Sequence, residues 1–279
     1  MFKNKWVNCS LLGIMLVFCI QHCLHAEPTA VEEFNITELM ERLADESRPA
    51  GEFTKIWNQI HELSPDGQKR VLNALIYNLH HSDNCRLASE CAFWVYTFKN
   101  DEAVDALAVT LLNHKDEFMR QKAARLLGKI GNAKAIPALQ TAIDADDGFN
   151  EDGTRDYRRR YSGDIASVAI ITLGRIGKPA VPALLQLWQK KGVCERFKIE
   201  IVGSLGETRD EKAIRVLIDV LEGNDGAIRP LAAFGLGEFA TKDVLPVLMK
   251  HQDDPDNKIR QNVAEAIKKL KGELKRLSE

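Results

Sequence analysis

One helical pattern, punctuated by glycine and proline, recurs from about residue 116 to the C-terminus. It is seen in LLGKIGNAKAIPAL (126–139), TLGRIGKPAVPAL (172–184), SLGETRDEKAIRVL (204–217) and FGLGEFATKDVLPVL (234–248). Gly206 and Gly237 are 31 residues apart, as are Leu217 and Leu248. That interval holds two helices of about three turns each and two short turns. Gly131 and Gly206 are 75 residues apart, which is two such units plus an excess. The excess falls in the non-periodic run DADDGFNEDGTRDYRRRYSGD (144–164). The fold class predicted is therefore all-α, an array of antiparallel helix pairs stacked on their neighbours.

Within a unit, the spacing assigns most of the unusual residues to architecture. Asp116 and Arg120, Asp225 and Arg229, and Asp256 and Arg260 place a carboxylate at a helix start and a guanidinium one turn later. The acid is expected to accept first-turn amides, and the arginine to bridge the same carboxylate. Gly131, Gly177, Gly206 and Gly237 are expected to end first helices in the left-handed conformation. Pro137, Pro182 and Pro246 are expected early in second helices, where a missing amide hydrogen costs little. Upstream, helices are predicted near 36–46, 53–63, 67–80, 84–98 and 101–113, in the same rhythm without the glycine signature.

The N-terminus has the form of a secretory signal: Lys3 and Lys5, the apolar block 11–20, and Ala26 before Glu27-Pro28. Organisation follows as a signal peptide (1–26), a polar lead-in (27–35), degenerate repeats (36–115), regular repeats (116–272) with an insert at 144–163, and a charged tail (273–279). An exported, periplasmic or extracellular, protein is expected, anchored through residues 6–20 if the signal is uncut. Removing 1–26 takes away two lysines and no acid, leaving a mildly acidic chain that excludes nucleic acid as a main partner. The mature chain keeps Cys85, Cys91 and Cys194. Cys85 and Cys91 would point about 120° apart on one straight helix, so these cysteines are expected to be mainly packing residues.

The runs at 116–139, 164–188 (DIASVAIITLGRIGKPAVPALLQLW) and 257–270 (NKIRQNVAEAIKKL) resemble bacterial HEAT repeats, of the type also found in phycobilisome lyases. The resemblance implies an α-solenoid, a right-handed superhelix whose second helices (about 133–143, 178–190, 210–221 and 241–250) line a concave, partner-binding face. It implies no single activity, because such repeats serve scaffolds, assembly factors and bilin-attaching lyases alike.

The insert is the leading site candidate, since the repeats fold without it. Its basic half, Arg155, Tyr157, Arg158, Arg159, Arg160 and Tyr161, suits recognition of a carboxylate, a phosphate or a protein surface, and equally suits pairing with the neighbouring aspartates that ties the loop down. Its acidic half, Asp144, Asp146, Asp147, Asn150 and Asp152, is a weak calcium candidate without standard loop spacing. His80, His81 and Cys85 are a weaker zinc candidate, with His61 or His114 as a fourth ligand. Trp57, Trp94 and Trp188 are expected to pack between layers, while Phe93, Trp94 and Tyr96 form the densest aromatic patch and a possible border for a ligand groove. The main reading is an exported, non-catalytic scaffold that binds another protein, with no catalytic residue, metal or cofactor and no membrane span in the mature chain. The alternatives are a lyase-like or chaperone-like protein that handles a tetrapyrrole or other cofactor, and a structural spacer.

Overall fold

The structure, a computed structural model, describes residues 35–45, 47, 49, 51–145, 165–191, 193–239, 241 and 243–278. These residues form an all-α, helix-pair solenoid fold, with no β-strand among them. They divide into two compact units, Met1–Ala103 and Val104–Glu279.

The N-terminal unit holds α1 (Ile36–Ala44), α2 (Glu52–Glu62), α3 (Pro65–His81) and α4 (Cys85–Phe98). α5 (Asp101–Asn113) begins at its edge. Three of these four starts have a side-chain cap. Asn35, Ser64 and Asn84 accept first-turn amides from Glu38, Gly67 and Arg86 with Leu87, and Pro65 takes the position after its cap. The core is built from long side chains: Leu39, Leu43, Ile56, Ile60, Leu72, Leu75, Leu79 and Trp94 are all buried.

The C-terminal unit continues through α6 (Glu117–Ile130), α7 (Ile136–Ala145), α8 (Ile165–Ile176), α9 (Val181–Gln189), α10 (Glu195–Thr208), α11 (Ile214–Glu222), α12 (Arg229–Leu236), α13 (Val244–Lys250) and α14 (Asn257–Ser278). A 3-10 turn leads into each of α7, α9 and α11, so Pro137 and Pro182 fall in the first turn of an α-helix as predicted. α14 runs straight through the charged tail to Ser278.

First helices stack on first helices, α6 on α8, α8 on α10, α10 on α12 and α12 on α14. A short motif sets each contact. Thr172-Leu173-Gly174, Ser204-Leu205-Gly206 and Gly235-Leu236-Gly237 place a small residue toward the preceding helix, a buried leucine inward, and a glycine toward the following helix. A Cβ on Gly174 would sit 2.8 Å from Ser204 Cβ, one on Gly206 2.8 Å from Gly235 Cα, and one on Gly237 2.7 Å from Ala266 Cβ. Hydroxyls close the same seam: Thr172 Oγ1 donates to Ala124 O at 3.2 Å, and Ser204 Oγ to Ile170 O at 3.1 Å. In α14 the motif becomes Ala266-Ile267-Lys268, with an exposed lysine in the glycine's place.

Two expectations are corrected here. Gly131 (φ 71°, ψ 17°) is a left-handed cap, whereas Gly177 has positive φ (84°) with ψ −143°, outside the left-handed helical region, Gly206 lies inside α10 and Gly237 has φ −68°. The last two are required by close helix approach, and Arg209 (φ 50°) takes the left-handed position after α10. Asp116 and Asp256 do cap, accepting from Phe118 N at 2.8 Å and Lys258 N at 2.7 Å, but Asp225 accepts from Ala227 N at 3.1 Å in the turn before α12, whose own start has no side-chain cap. The arginines, however, turn back to carbonyls of the preceding turn. Arg120 donates to His114 O at 2.7 Å, Arg260 to Asp254 O at 2.6 Å, and Arg229 to Leu221 O at 2.9 Å. A guanidinium gains more there, since those carbonyls lack helical partners while the capping carboxylate already has one.

Candidate functional site: an aromatic stripe on the second helix

α2 carries two apolar stripes. Ile56 and Ile60 are buried, whereas Phe53, Trp57 and His61, four residues apart, line a face that stays partly open. Arg42 ties α1 to this helix by pairing with Glu52 and donating to Gln59 Oε1 at 3.2 Å. Along the open stripe, Phe53 stacks on Trp57 with ring centroids 6.3 Å apart, and Trp57 meets the His61 ring at 3.9 Å. α4 adds a second row. Trp94 lies 4.7 Å from Phe53 and 6.5 Å from Trp57, Phe93 lies 5.6 Å from Phe53, and Tyr96 follows at 5.8 Å from Phe93. Lys99 Nζ sits 5.9 Å from the Tyr96 ring centre.

Trp94 anchors the cluster. It is only 1% exposed, and its Nε1 has no hydrogen-bond partner among the described residues. An indole N–H buried without an acceptor carries a desolvation cost. Ring faces stacked in a row and open at Phe53 and His61 can bind another flat group by offset stacking. Cys91, one turn before Trp94, is buried, and burial with the nearby Glu90 pushes its thiol up to about 12.

Phe93, Trp94 and Tyr96 are therefore brought together as the sequence indicated. Phe53 and His61 were missed as ring partners, although their spacing from Trp57 was readable; Trp57 itself lines the stripe and is only half-buried. Arg155, Tyr157, Arg158, Arg159, Arg160 and Tyr161 lie outside the described residues, as do Asp146, Asp147, Asn150 and Asp152. Asp144 closes α7 and pairs with Lys190 at 3.0 Å. The His81 ring stacks on Tyr77 at 4.5 Å, its Nδ1 lying 2.9 Å from Tyr77 O. Among the described residues no group of three or more His, Cys, Asp or Glu side chains could hold a metal ion. Cys85 is exposed at the first position of α4 and Cys194 half-buried before α10, so the packing expectation fits Cys91 alone.

Two shielded carboxylates tie neighbouring elements of the C-terminal unit together. Glu238 takes Lys269 and Arg209 on its two oxygens, each at 2.6 Å. Burial raises its carboxyl, and the two cations outweigh that and hold it below the usual range. Asp254 receives Arg229 at 2.6 Å and His251 at 3.3 Å. Burial pushes it up, while the Asp256 amide, Arg229 and His251 together hold it low.

A family model described as HEAT repeats matches residues 72–151 and 215–278, just over half of the chain. A deoxyhypusine hydroxylase of Arabidopsis thaliana is 27% identical over 232 residues, covering 76% of this chain and 72% of the relative. A phycocyanobilin lyase subunit alpha of Pseudanabaena tenuis is 34% identical over 91 residues, which are 30% of this chain and 33% of the relative. Among solved structures, human deoxyhypusine hydroxylase in complex with glycerol is similar at 18% identity and a TM-score of 0.36, over 85% of this chain and 96% of that one. No helix among the described residues is long and apolar enough to cross a membrane.

Proposed function

Since the chain belongs to the HEAT-repeat family, we propose that it is a lyase-like or chaperone-like repeat protein that grips a protein partner and holds a flat conjugated group, a tetrapyrrole or another cofactor. The observation that carries this reading is the open ring row Phe53, Trp57 and His61 above the buried Trp94. Stacking on such a row favours a large planar ligand over an aliphatic one. The names of the curated relatives, a hydroxylase and a lyase, support handling of a chemical group over bare scaffolding. His61 stands at the exposed end of the row, where it can meet a polar edge of the ligand.

The test is titration of the full chain with biliverdin, followed by the visible absorption band and by quenching of tryptophan fluorescence. A red-shifted band that saturates, and that weakens at least about tenfold in Trp57→Ala, is the expected outcome. No band with biliverdin or haem would remove the tetrapyrrole from the reading.

The exported, non-catalytic scaffold stands as the second reading. It is favoured by the leader-like residues 1–26 and by the basic run Arg158, Arg159 and Arg160 in the non-periodic insert. Pull-down from an extracytoplasmic fraction with all three changed to Ala should lose the partner. Undiminished recovery would take the insert out of the interface.

A further inference from the structure

The seam of the first helices fixes which residues stand opposite it. Arg125, Ile171, Gly203, Phe234 and Glu265 each fall two positions before a buried inward residue, Leu127, Leu173, Leu205, Leu236 and Ile267 in turn. Two residues turn an α-helix by about 200°, so the five form one row on the outer side of α6, α8, α10, α12 and α14. Along the stack that row runs cation, apolar, empty, apolar, anion. Ile171 is 37% and Phe234 55% exposed, Arg125 and Glu265 are exposed, and a Cβ on Gly203 would meet nothing within 4 Å. Arg125 donates to Gln121 of its own helix at 3.3 Å, and neither it nor Glu265 is ion-paired among the described residues.

About one turn earlier stand Lys122, Val168, Glu200, Leu231 and Asn262, and one turn later Lys129, Arg175, Glu207, Glu238 and Lys269. The face is thus basic toward α6 and α8, apolar on either side of Gly203, and acidic toward its far end. Such an order complements itself when the helices are taken in reverse. A two-fold axis parallel to α10 and in front of Gly203 does this, laying α6 opposite α14 of a second copy and α8 opposite its α12. Arg125 then faces Glu265, Ile171 faces Phe234, Val168 faces Leu231 and Arg175 faces Glu238, each pair made twice. The missing side chain at Gly203 lets the two α10 helices approach closely at the axis. Glu200 turns its carboxylate inward to Arg196 and Ser167, and the two Glu207 carboxylates have an Arg175 on either side. Lys129 faces Lys269, which Glu238 already holds at 2.6 Å. An axis across the helices would set Arg125 on Arg125 and Glu265 on Glu265, so charge selects the parallel one.

We propose that this face joins two copies of the chain in an isologous dimer, with Ile171 and Phe234 packed across the centre and Arg125 paired with Glu265 at both rims. Five helices about 9 Å apart, each giving about three turns, offer an area on the order of 700 Å² per copy, within the range of a standard interface. An apolar centre ringed by opposite charges is the usual order of such a contact. The inference is independent of the ring row, which belongs to the N-terminal unit.

Sedimentation of the full chain from micromolar to submillimolar concentration tests this, with circular dichroism as a check that each variant folds. A reversible monomer–dimer equilibrium that weakens as salt is raised is expected. Phe234→Ala should weaken the dimer about tenfold or more, while Met249→Ala, on a second helix, leaves it unchanged. Arg125→Glu and Glu265→Arg should each weaken it by about tenfold or more, because each sets two like-charged pairs in the interface. An equimolar mixture of those two variants should dimerise at wild-type strength, since every rim pair is then opposite again. A wild-type chain that stays monomeric throughout would overturn the proposal and give the face to a foreign protein. So would a dimer indifferent to Phe234→Ala, or charge reversals that the mixture fails to rescue. Biliverdin binding is expected to be unchanged in Phe234→Ala, so failure here is distinguishable from failure of the ring site.

Discussion

The N-terminal unit packs its helices through rings and long aliphatic chains, whereas the C-terminal unit packs its first helices almost backbone to backbone. In the N-terminal unit no described glycine lies against a neighbouring helix: a Cβ on Gly51 would meet open space and one on Gly67 only Leu63 and Ser64 of its own turn. In the C-terminal unit Gly174, Gly206 and Gly237 each face a small residue of the next helix at a distance no Cβ could share. Packing limited by side chains can adjust by rotamer changes and leaves aromatic faces at the surface. Packing limited by the backbone fixes the register of each repeat and leaves nothing spare. The open stripe on α2 belongs to the first kind, and the seam of the regular repeats to the second.

The sharpest break in this contrast comes from removing one anchor from each unit. Trp94→Ala deletes the largest buried side chain of the ring cluster, and should cost about 3–5 kcal/mol. Amide hydrogen exchange should register that loss in residues 35–103 alone. Asp254→Asn leaves Arg229, whose side chain is 17% exposed, without its carboxylate, and should cost a comparable ~3–5 kcal/mol, read in residues 229–278. The pH dependence separates the two. The folded-state pKa of Asp254 is depressed, so its contribution is present above the unfolded carboxylate value and is lost as pH falls through the folded one. Wild-type protection in the last repeats should therefore fall on acidification, and Asp254→Asn should weaken that response, leaving the part that Glu238 contributes, while Trp94→Ala retains it in full. Equal responses in both variants would count against assigning the acid-sensitive anchor to Asp254.

Gly206→Ala tests the seam itself. The new methyl would meet Gly235 Cα, a backbone atom that no rotamer can move, so a loss of about 1–3 kcal/mol is expected. Gly203→Ala, three residues earlier on the same helix, meets nothing and should be neutral or stabilising, since alanine is the better helix former. Chemical denaturation of the two variants side by side gives the comparison. A tolerant Gly206 would mean that the first helices can separate, and would make the two units alike.

The same contrast explains what could be read from the sequence and what could not. Helix existence and pairing were legible because each depends on local periodicity: the predicted 101–113 is the observed α5, and the 3-10 turn with α7 spans the predicted 133–143. The glycines were legible as special but not in their role. Gly131 and Gly206 both follow leucine-rich turns, and only the neighbouring helix decides which is a left-handed cap and which a contact point. The arginines of the Asp-x-x-x-Arg pairs were misassigned for the same reason, since the carbonyls they reach belong to the chain's preceding turn and not to helical spacing. Of the ring site, Phe93, Trp94 and Tyr96 were visible as a dense run. The half on α2 was hidden because Phe53 and His61 acquire meaning only once α2 is laid beside α4.

The smallest effect is expected at the helix ends, where the units meet one problem with different residues. α6 ends on Gly131 at φ 71°, while α4 ends on Lys99 at φ 52°. A residue with a Cβ in that region costs about 1–2 kcal/mol relative to glycine. Lys99 recovers part of this through its ammonium near the Tyr96 ring, a contact worth about 0.5–1 kcal/mol at an exposed site. Lys99→Gly should thus stabilise the N-terminal unit by up to about 1 kcal/mol, less than the strain alone because the ring contact is lost and the unfolded chain gains freedom. Gly131→Lys should destabilise by a similar amount or more, having no ring beside it to offset the strain. Denaturant midpoints of the pair give the sign. If Lys99→Gly also destabilises, the ammonium near Tyr96 matters more than the cap, and the end of α4 belongs with the ring cluster as part of its binding surface.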